Sequence, residues 1–203
     1  ICNDAKFEIT QIGKECHSHC EIYKRVGDCI MPREGIFAKV LESGTIKVGD
    51  KIEVIYPEKD MPYMAAVMTL SDKGSRGERV DTSGPRAAEI LKEHGFKIVE
   101  EIILPDEEAQ IKKHLIRLSD SRQVDLIITT GGTGLSPRDR TPEATLAVAD
   151  RNVPGISEAI RAGSMTITKR AMLSRGVSVI RKKTLTINLP GSKKAVEESL
   201  SFI

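Results

Sequence analysis

From residue 64 onward the chain alternates between short, nearly unbroken apolar runs and longer stretches in which apolar residues return every three or four positions. An unbroken run suits a strand buried on both faces, and the three-to-four spacing suits a helix with one buried side. Strands are predicted over Met64–Leu70, Phe96–Leu104, Val124–Thr130, Val177–Ile180 and Thr184–Leu189. Helices are predicted over Pro85–His94, Asp106–Leu118, Thr141–Ala149, Ile156–Arg161 and Ser192–Leu200. Ala87, Ala88, Ile90 and Leu91 share one side of the first helix, and Gly95 ends it in the usual stop position. Strands spaced by helices imply an α/β fold: a mostly parallel sheet with right-handed crossovers and helices on both faces.

Residues 1–55 follow a different rhythm. Short β segments are predicted over Lys6–Ile12, Gly35–Leu41 and Lys51–Ile55, separated by turn residues such as Gly13, Gly27-Asp28, Ser43-Gly44 and Gly49-Asp50. So few short strands are marginal for independent folding, and the segment reads as the tail of a larger β domain. In Tyr56-Pro57-Glu58-Lys59-Asp60-Met61-Pro62-Tyr63 two prolines bracket charges, which makes a stiff connector. The chain therefore divides into a small, incomplete β-barrel segment (1–56), a linker (57–63) and an α/β domain (64–203).

Composition narrows the chemistry. Only 3% of the 203 residues are aromatic and none is tryptophan, so the core must be aliphatic, and the stacking platform of a single-stranded nucleic-acid binder is missing. The net charge is +2, but residues 1–60 hold 9 basic and 11 acidic side chains, which leaves +4 on the remainder. That balance mildly favours an anionic ligand and is too weak to argue for DNA or RNA. No apolar stretch is long enough to span a membrane and Ile1–Lys14 lacks the order of a signal peptide, so a cytoplasmic protein is expected. Cys2, Cys16, Cys20 and Cys29 all fall in the first thirty residues, unlike a disulfide framework that staples a whole secreted chain. Cys16-His17-Ser18-His19-Cys20 offers soft ligands for zinc, but residues so close together rarely all face one ion, and inert or reactive thiols explain it better. His94 and His114 lie on predicted helices, and no histidine triad is available.

The chemistry centres on Val124 to Glu143. An apolar strand empties into Gly131-Gly132-Thr133-Gly134, then Ser136, Arg138 and Asp139, and Thr141-Pro142 opens a helix with threonine as the expected cap. The turn lacks the lysine of a Walker loop and does not fit the dinucleotide fingerprint. Its glycines let backbone approach a ligand, and with the Thr133 and Ser136 hydroxyls, Arg138 and the amides of the next helix they suit a phosphate. Asp106 follows another strand of the same sheet, so both acids are expected at one sheet edge, where ligands of α/β sheets bind. Two carboxylates beside phosphate suit Mg²⁺. The first loop, Ser71-Asp72-Lys73-Gly74-Ser75-Arg76-Gly77 and on to Asp81-Thr82-Ser83-Gly84, is long enough to favour function over connection. Arg161, Lys169, Arg170, Arg175 and Arg181 form a later basic set, with Ser174-Arg175 and Asn188-Leu189-Pro190-Gly191-Ser192 at element ends where a second anion could sit.

Two resemblances join these features. Glu8 to Cys20, Gly27 to Ala38 and Gly44 to Asp50 resemble the C-terminal end of a MOSC domain, a β-barrel family associated with the molybdenum cofactor, whose sulfur- or metal-handling cysteine matches Cys20, with Cys16 second; the preceding strands are absent. Thr69-Leu70-Ser71-Asp72, Leu104-Pro105-Asp106-Glu107, Thr129 to Gly134, Pro137 to Ala144, Leu173-Ser174-Arg175 and Ile187 to Gly191 resemble the molybdopterin adenylyltransferase family, related to the gephyrin G domain. That resemblance implies a molybdopterin-binding-like fold, a homotrimer, and the reaction of ATP with molybdopterin to give adenylyl-molybdopterin and pyrophosphate with Mg²⁺. It also implies that Asp106 and Asp139 are the essential, metal-holding acids. Ser71, Asp72, the glycine turn and Arg138 would bind ligand, and Ser174, Asn188, Pro190 and Gly191 would line the site. A non-catalytic scaffold that holds the cofactor, or a sulfur or metal carrier centred on Cys20, is the competing reading.

Overall fold

The computed structural model describes residues 4–13, 21–26, 34–55 and 62–203. The chain separates into two compact units, Ile1–Met61 and Pro62–Ile203. In the first, β1 (Lys6–Ile12) pairs antiparallel with β2 (Ile36–Glu42), and α1 spans Glu21–Val26. The strand predicted over Lys51–Ile55 does not form. Only Ile52 makes an isolated bridge there. Cys16, Cys20, His17 and His19 lie outside the described residues.

The second unit is a six-stranded sheet in the order β4-β3-β5-β8-β7-β6. Its elements are β3 (Met64–Leu70), α2 (Asp72–Ser75), α3 (Ser83–Glu93), β4 (Lys97–Leu104), α4 (Glu108–Ile116), β5 (Leu126–Thr130), α5 (Thr141–Ala147), β6 (Arg151–Asn152), α6 (Pro154–Ile167), β7 (Ser178–Arg181), β8 (Thr184–Leu189) and α7 (Lys193–Leu200). β4, β3, β5 and β8 run parallel, whereas β7 pairs antiparallel with both β8 and β6 and is the reversed strand of the sheet, since a tight Lys182-Lys183 turn joins β7 to β8.

Successive side chains of a strand point to opposite faces, and the core divides accordingly. Ala65, Val67, Leu126, Ile128, Ile187 and Leu189 pack against α3, α6 and α7 through Ala87, Ala88, Leu91, Ile160 and Val196. Ala66, Met68, Leu70, Leu104 and Ile127 pack on the other face against Ile111 and Leu115 of α4 and Ala144 of α5. Alanines at 65, 66, 87 and 88, almost free of solvent, let helix and sheet backbones close together without aromatic filler. The register aligns Leu70 with Leu104, Thr69 with Thr130, and Thr130 with Leu189. The carboxyl ends of four parallel strands therefore finish at one edge, and the loops beginning at Ser71, Pro105, Gly131 and Pro190 leave from it.

Candidate active site

At that edge, backbone geometry demands glycine. Gly131 and Gly132 have φ of +94° and +64°, the left-handed region that costs other residues strain. A Cβ on Gly131 would stand 2.4 Å from the Leu70 carbonyl oxygen, and one on Gly132 would stand 2.2 Å from the Thr141 hydroxyl and 3.1 Å from Asp106 Oδ1. A Cβ on Gly134 would meet Asp139 Oδ2 at 2.9 Å. Missing side chains thus make room for two acids, which approach neighbouring glycines of one turn. Thr141 is not the cap of α5. It is the first helical residue, after Arg140, and its hydroxyl donates to the Gly131 carbonyl at 3.0 Å, tying the helix start to the turn.

Asp106 and Asp72 brace each other. The Asp72 N–H donates to Asp106 Oδ2 and the Asp106 N–H donates to Asp72 Oδ1, both at 3.0 Å. Asp106 Oδ1 is buried and has no hydrogen-bond partner. Burial is the main cause that raises the Asp106 carboxyl above its usual value; the charges of Asp72 and Asp139 add to this, while the Asp72 N–H and Arg138 oppose it. Asp139 Oδ2 accepts the Ser136 N–H at 2.9 Å, and the Asp139 N–H returns to the Ser136 carbonyl, closing a short turn.

Arg138 is exposed, but its guanidinium is already engaged by carboxylates. Its Nε and Nη2 grip Asp72 Oδ2 and Oδ1 at 3.0 and 2.8 Å, and Nη1 reaches Glu107 at 2.9 Å. That grip is the largest influence on Asp72 and holds its carboxyl below the ordinary range. Ser136 Oγ is likewise taken, accepting the Arg138 N–H at 3.3 Å. Ser71 caps α2, its hydroxyl accepting from the Gly74 N–H at 3.0 Å.

Two other expected site residues are structural. Asn188 is buried; Nδ2 donates to the Thr129 and Thr145 hydroxyls at 2.9 and 3.1 Å and Oδ1 accepts the Val177 N–H, so its side chain clamps β5, α5 and the approach to β7 instead of lining the site. A polar side chain beneath the sheet edge must satisfy its own bonds, and nearby threonines do so. Arg175 donates to the Gly134 and Asp139 carbonyls and to Glu143, and its N–H to the Thr133 carbonyl, stapling the glycine turn from the side. Ser174 Oγ accepts the Gly176 N–H at 3.4 Å in the same segment. Gly191 does lie at the edge: a Cβ there would stand 3.1 Å from Gly131 Cα, so Pro190-Gly191 and the glycine turn are neighbours. Arg161 and Arg181 are scaffold as well, bonded to the Gly176 carbonyl and to Asp120.

The loop marked as functional by its length, through Asp81-Thr82-Ser83-Gly84, holds a cluster whose bonds the sequence did not disclose. A cavity of about 120 Å³ opens among Thr69, Ser71, Asp81, Ser83, Thr130 and Gly191. Asp81 organises it: Oδ2 accepts the Thr69 hydroxyl at 2.6 Å, while Oδ1 accepts the Ser83 N–H and hydroxyl, both at 2.9 Å, and the Gly84 N–H at 3.1 Å. Burial pushes the Asp81 carboxyl up, but these bonds outweigh it and leave it below its usual value. The available signal was Asp81 two residues before a Ser-Gly-Pro helix start.

Among the described residues no group of three or more His, Cys, Asp or Glu side chains forms a ready metal cage. A cation held by one or two carboxylates, with substrate and water completing its shell, needs no such cage. The unpartnered Asp106 Oδ1, with Asp139 close enough to shift it, fits that role.

Residues 66–203 match the family described as "Probable molybdopterin binding domain". The chain belongs to that family. A molybdopterin adenylyltransferase of Helicobacter pylori J99 is 42% identical over 139 residues, covering 68% of this chain and 79% of the relative. The molybdopterin adenylyltransferase of Escherichia coli K12 is 43% identical over 140 residues, covering 68% and 71%. The solved molybdopterin biosynthesis enzyme MoaB of Thermus thermophilus superposes with a TM-score of 0.65 at 48% identity, covering 68% and 87%. Residues 1–65 lie outside the match that defines the molybdopterin-binding family.

Proposed function

We propose that residues 64–203 are a nucleotidyltransferase that moves AMP from ATP to the terminal phosphate of molybdopterin, yielding adenylyl-molybdopterin and pyrophosphate. The observation that carries the reading is the convergence of Asp106 and Asp139 on one glycine turn, with a buried carboxylate oxygen left unpaired, in a chain more than 40% identical to two named molybdopterin adenylyltransferases. A phosphate oxygen of molybdopterin attacks the α-phosphorus of ATP and the bond to the β-phosphate oxygen breaks. The attacking phosphate has its second pKa near 6 and is largely ionised at neutral pH, so no side chain need act as general base. The chain must hold two anions in line, and such alignment supplies much of the rate of phosphoryl chemistry.

Asp106 and Asp139 would hold Mg²⁺, which when bound offsets the negative charge of the phosphates. Main-chain N–H groups of the glycine turn, the Ser71-Asp72 loop and the Ser174 and Pro190-Gly191 segments would bound the ligands at the same strand ends. Asn188 and Arg175 support this rim from below and from the side. The homotrimer and cytoplasmic setting that the resemblance implies belong to this reading. So does the MOSC-like part, with Cys20 as its sulfur- or metal-handling residue.

The test is to incubate the purified chain with molybdopterin, ATP and Mg²⁺ and measure pyrophosphate. Asp139→Asn is expected to lower its release at least about 100-fold while molybdopterin still binds. A chain that binds molybdopterin and releases no pyrophosphate in wild-type form is a scaffold, and the enzymatic reading fails.

A further inference from the structure

We propose that Arg138 is a displaceable internal counter-ion, which neutralises the acid cluster until a divalent cation arrives and then turns its guanidinium to a phosphate of the incoming nucleotide. The inference rests on the cation-assisted reading above and concerns how the site is held before it is loaded.

All three guanidinium nitrogens of Arg138 are spent on carboxylates, two on Asp72 and one on Glu107. Asp72 in turn is locked to Asp106 by the paired backbone bonds, so the guanidinium stands one carboxylate away from the oxygen that has no partner. Four acids, at 72, 106, 107 and 139, meet at this corner of the sheet edge; Arg138 is bonded to two of them, and Arg76 acts on Asp72 by charge alone. The Arg138 side chain is 53% exposed, so the pairs it makes are screened and exchange easily. Arg138 lies in the loop between β5 and α5, so a turn of its side chain needs no movement of the β5 strand. A guanidinium fork matches phosphate oxygens as well as it matches a carboxylate. Arg138 is therefore poised to exchange one anion for another as the charge around Asp72 changes.

Two like charges at one site compete. With Arg138 on Asp72, a divalent ion at Asp106 and Asp139 is repelled through a partly aqueous gap, which weakens its binding by about tenfold in the absence of nucleotide. Loss of the guanidinium should then tighten cation binding and weaken nucleotide binding, and a purely structural strap would do neither.

Mn²⁺ binding to the nucleotide-free protein, read by the electron paramagnetic resonance of free Mn²⁺, tests this directly. Arg138→Gln is expected to bind Mn²⁺ about tenfold more tightly than wild type. Its KM for ATP should rise about tenfold, the scale of one lost charged hydrogen-bond contact. Arg138→Lys keeps the positive charge and should bind Mn²⁺ within about threefold of wild type, which also serves as the folding control. Unchanged or weaker Mn²⁺ binding in Arg138→Gln, with binding abolished by Asp106→Asn, overturns the counter-ion role and leaves the cation site standing. Mn²⁺ binding indifferent to Asp106→Asn removes the cation site, and the counter-ion with it.

Discussion

Asp106 and Asp81 sit at the same strand ends, yet their surroundings drive them in opposite directions. Asp81 receives hydrogen bonds from hydroxyls and helix-start amides and is held below its ordinary value, whereas Asp106 is half-buried among other acids and pushed above it. A raised carboxyl costs the fold nothing while it is protonated, below its unfolded value, and the cost appears as pH rises through the folded value. At neutral pH this raised carboxyl therefore costs the fold stability. Asp106→Asn removes that charge at nearly constant shape, and it is expected to raise the Tm at neutral pH. Pyrophosphate release should fall at least about 100-fold. Thermal melts of the two proteins from pH 7 down to about pH 3 check the sign, since the advantage of the variant should vanish below the ordinary carboxylate range. A variant less stable than wild type at pH 7 would mean that Asp106 is held by contacts that favour its charge.

At the scale of elements, the central strands and the turn after β5 were legible because burial and backbone geometry restrict the residues allowed there. An apolar run ending in Gly-Gly admits few conformations, and Thr129-Thr130-Gly131-Gly132 takes the expected one. Side-chain commitments were not legible. Asn188 reads as a ligand-facing residue in sequence and proves to be a buried clamp, and Asp81, in a loop marked as functional by its length alone, proves to organise a cavity, because each depends on threonine hydroxyls 12 to 59 positions away. The two-residue β6, Arg151–Asn152, is polar and exposed, and no periodicity could mark it. Glycines show the same contrast in a form that can be measured. Gly131 combines left-handed backbone with a Cβ position 2.4 Å from the Leu70 carbonyl, whereas Gly155, in the first turn of α6, has nothing within 4 Å. Gly131→Ala is expected to cost about 2–4 kcal/mol through strain and displacement of β3. Gly155→Ala should be neutral or stabilising by up to about 1 kcal/mol. Urea unfolding of both variants settles the comparison, and equal midpoints would mean that the glycine turn tolerates side chains and owes its composition to something other than this geometry.

At the scale of the whole molecule, every residue of both core clusters and every residue assigned to the site, apart from Cys20, belongs to the unit Pro62–Ile203. The front unit differs in kind. Among the described residues its sheet has two strands, and Ile9, Ile36, Val40, Leu41, Val48 and Ile52 are each about half exposed or more. Two strands are marginal on their own, whereas a sheet of six strands with helices on both faces holds two separate aliphatic cores. The chemistry should therefore survive removal of the front. Residues 62–203 produced alone are expected to unfold in one cooperative transition and to release pyrophosphate within about twofold of the full chain, a difference well under 1 kcal/mol in the barrier. Calorimetry and the pyrophosphate assay on the same preparation decide it. A fragment that folds but loses most of its activity would show that residues 1–61 take part in the reaction, and a fragment that does not fold would show that the two cores are insufficient to hold the sheet edge on which Asp106 and Asp139 meet.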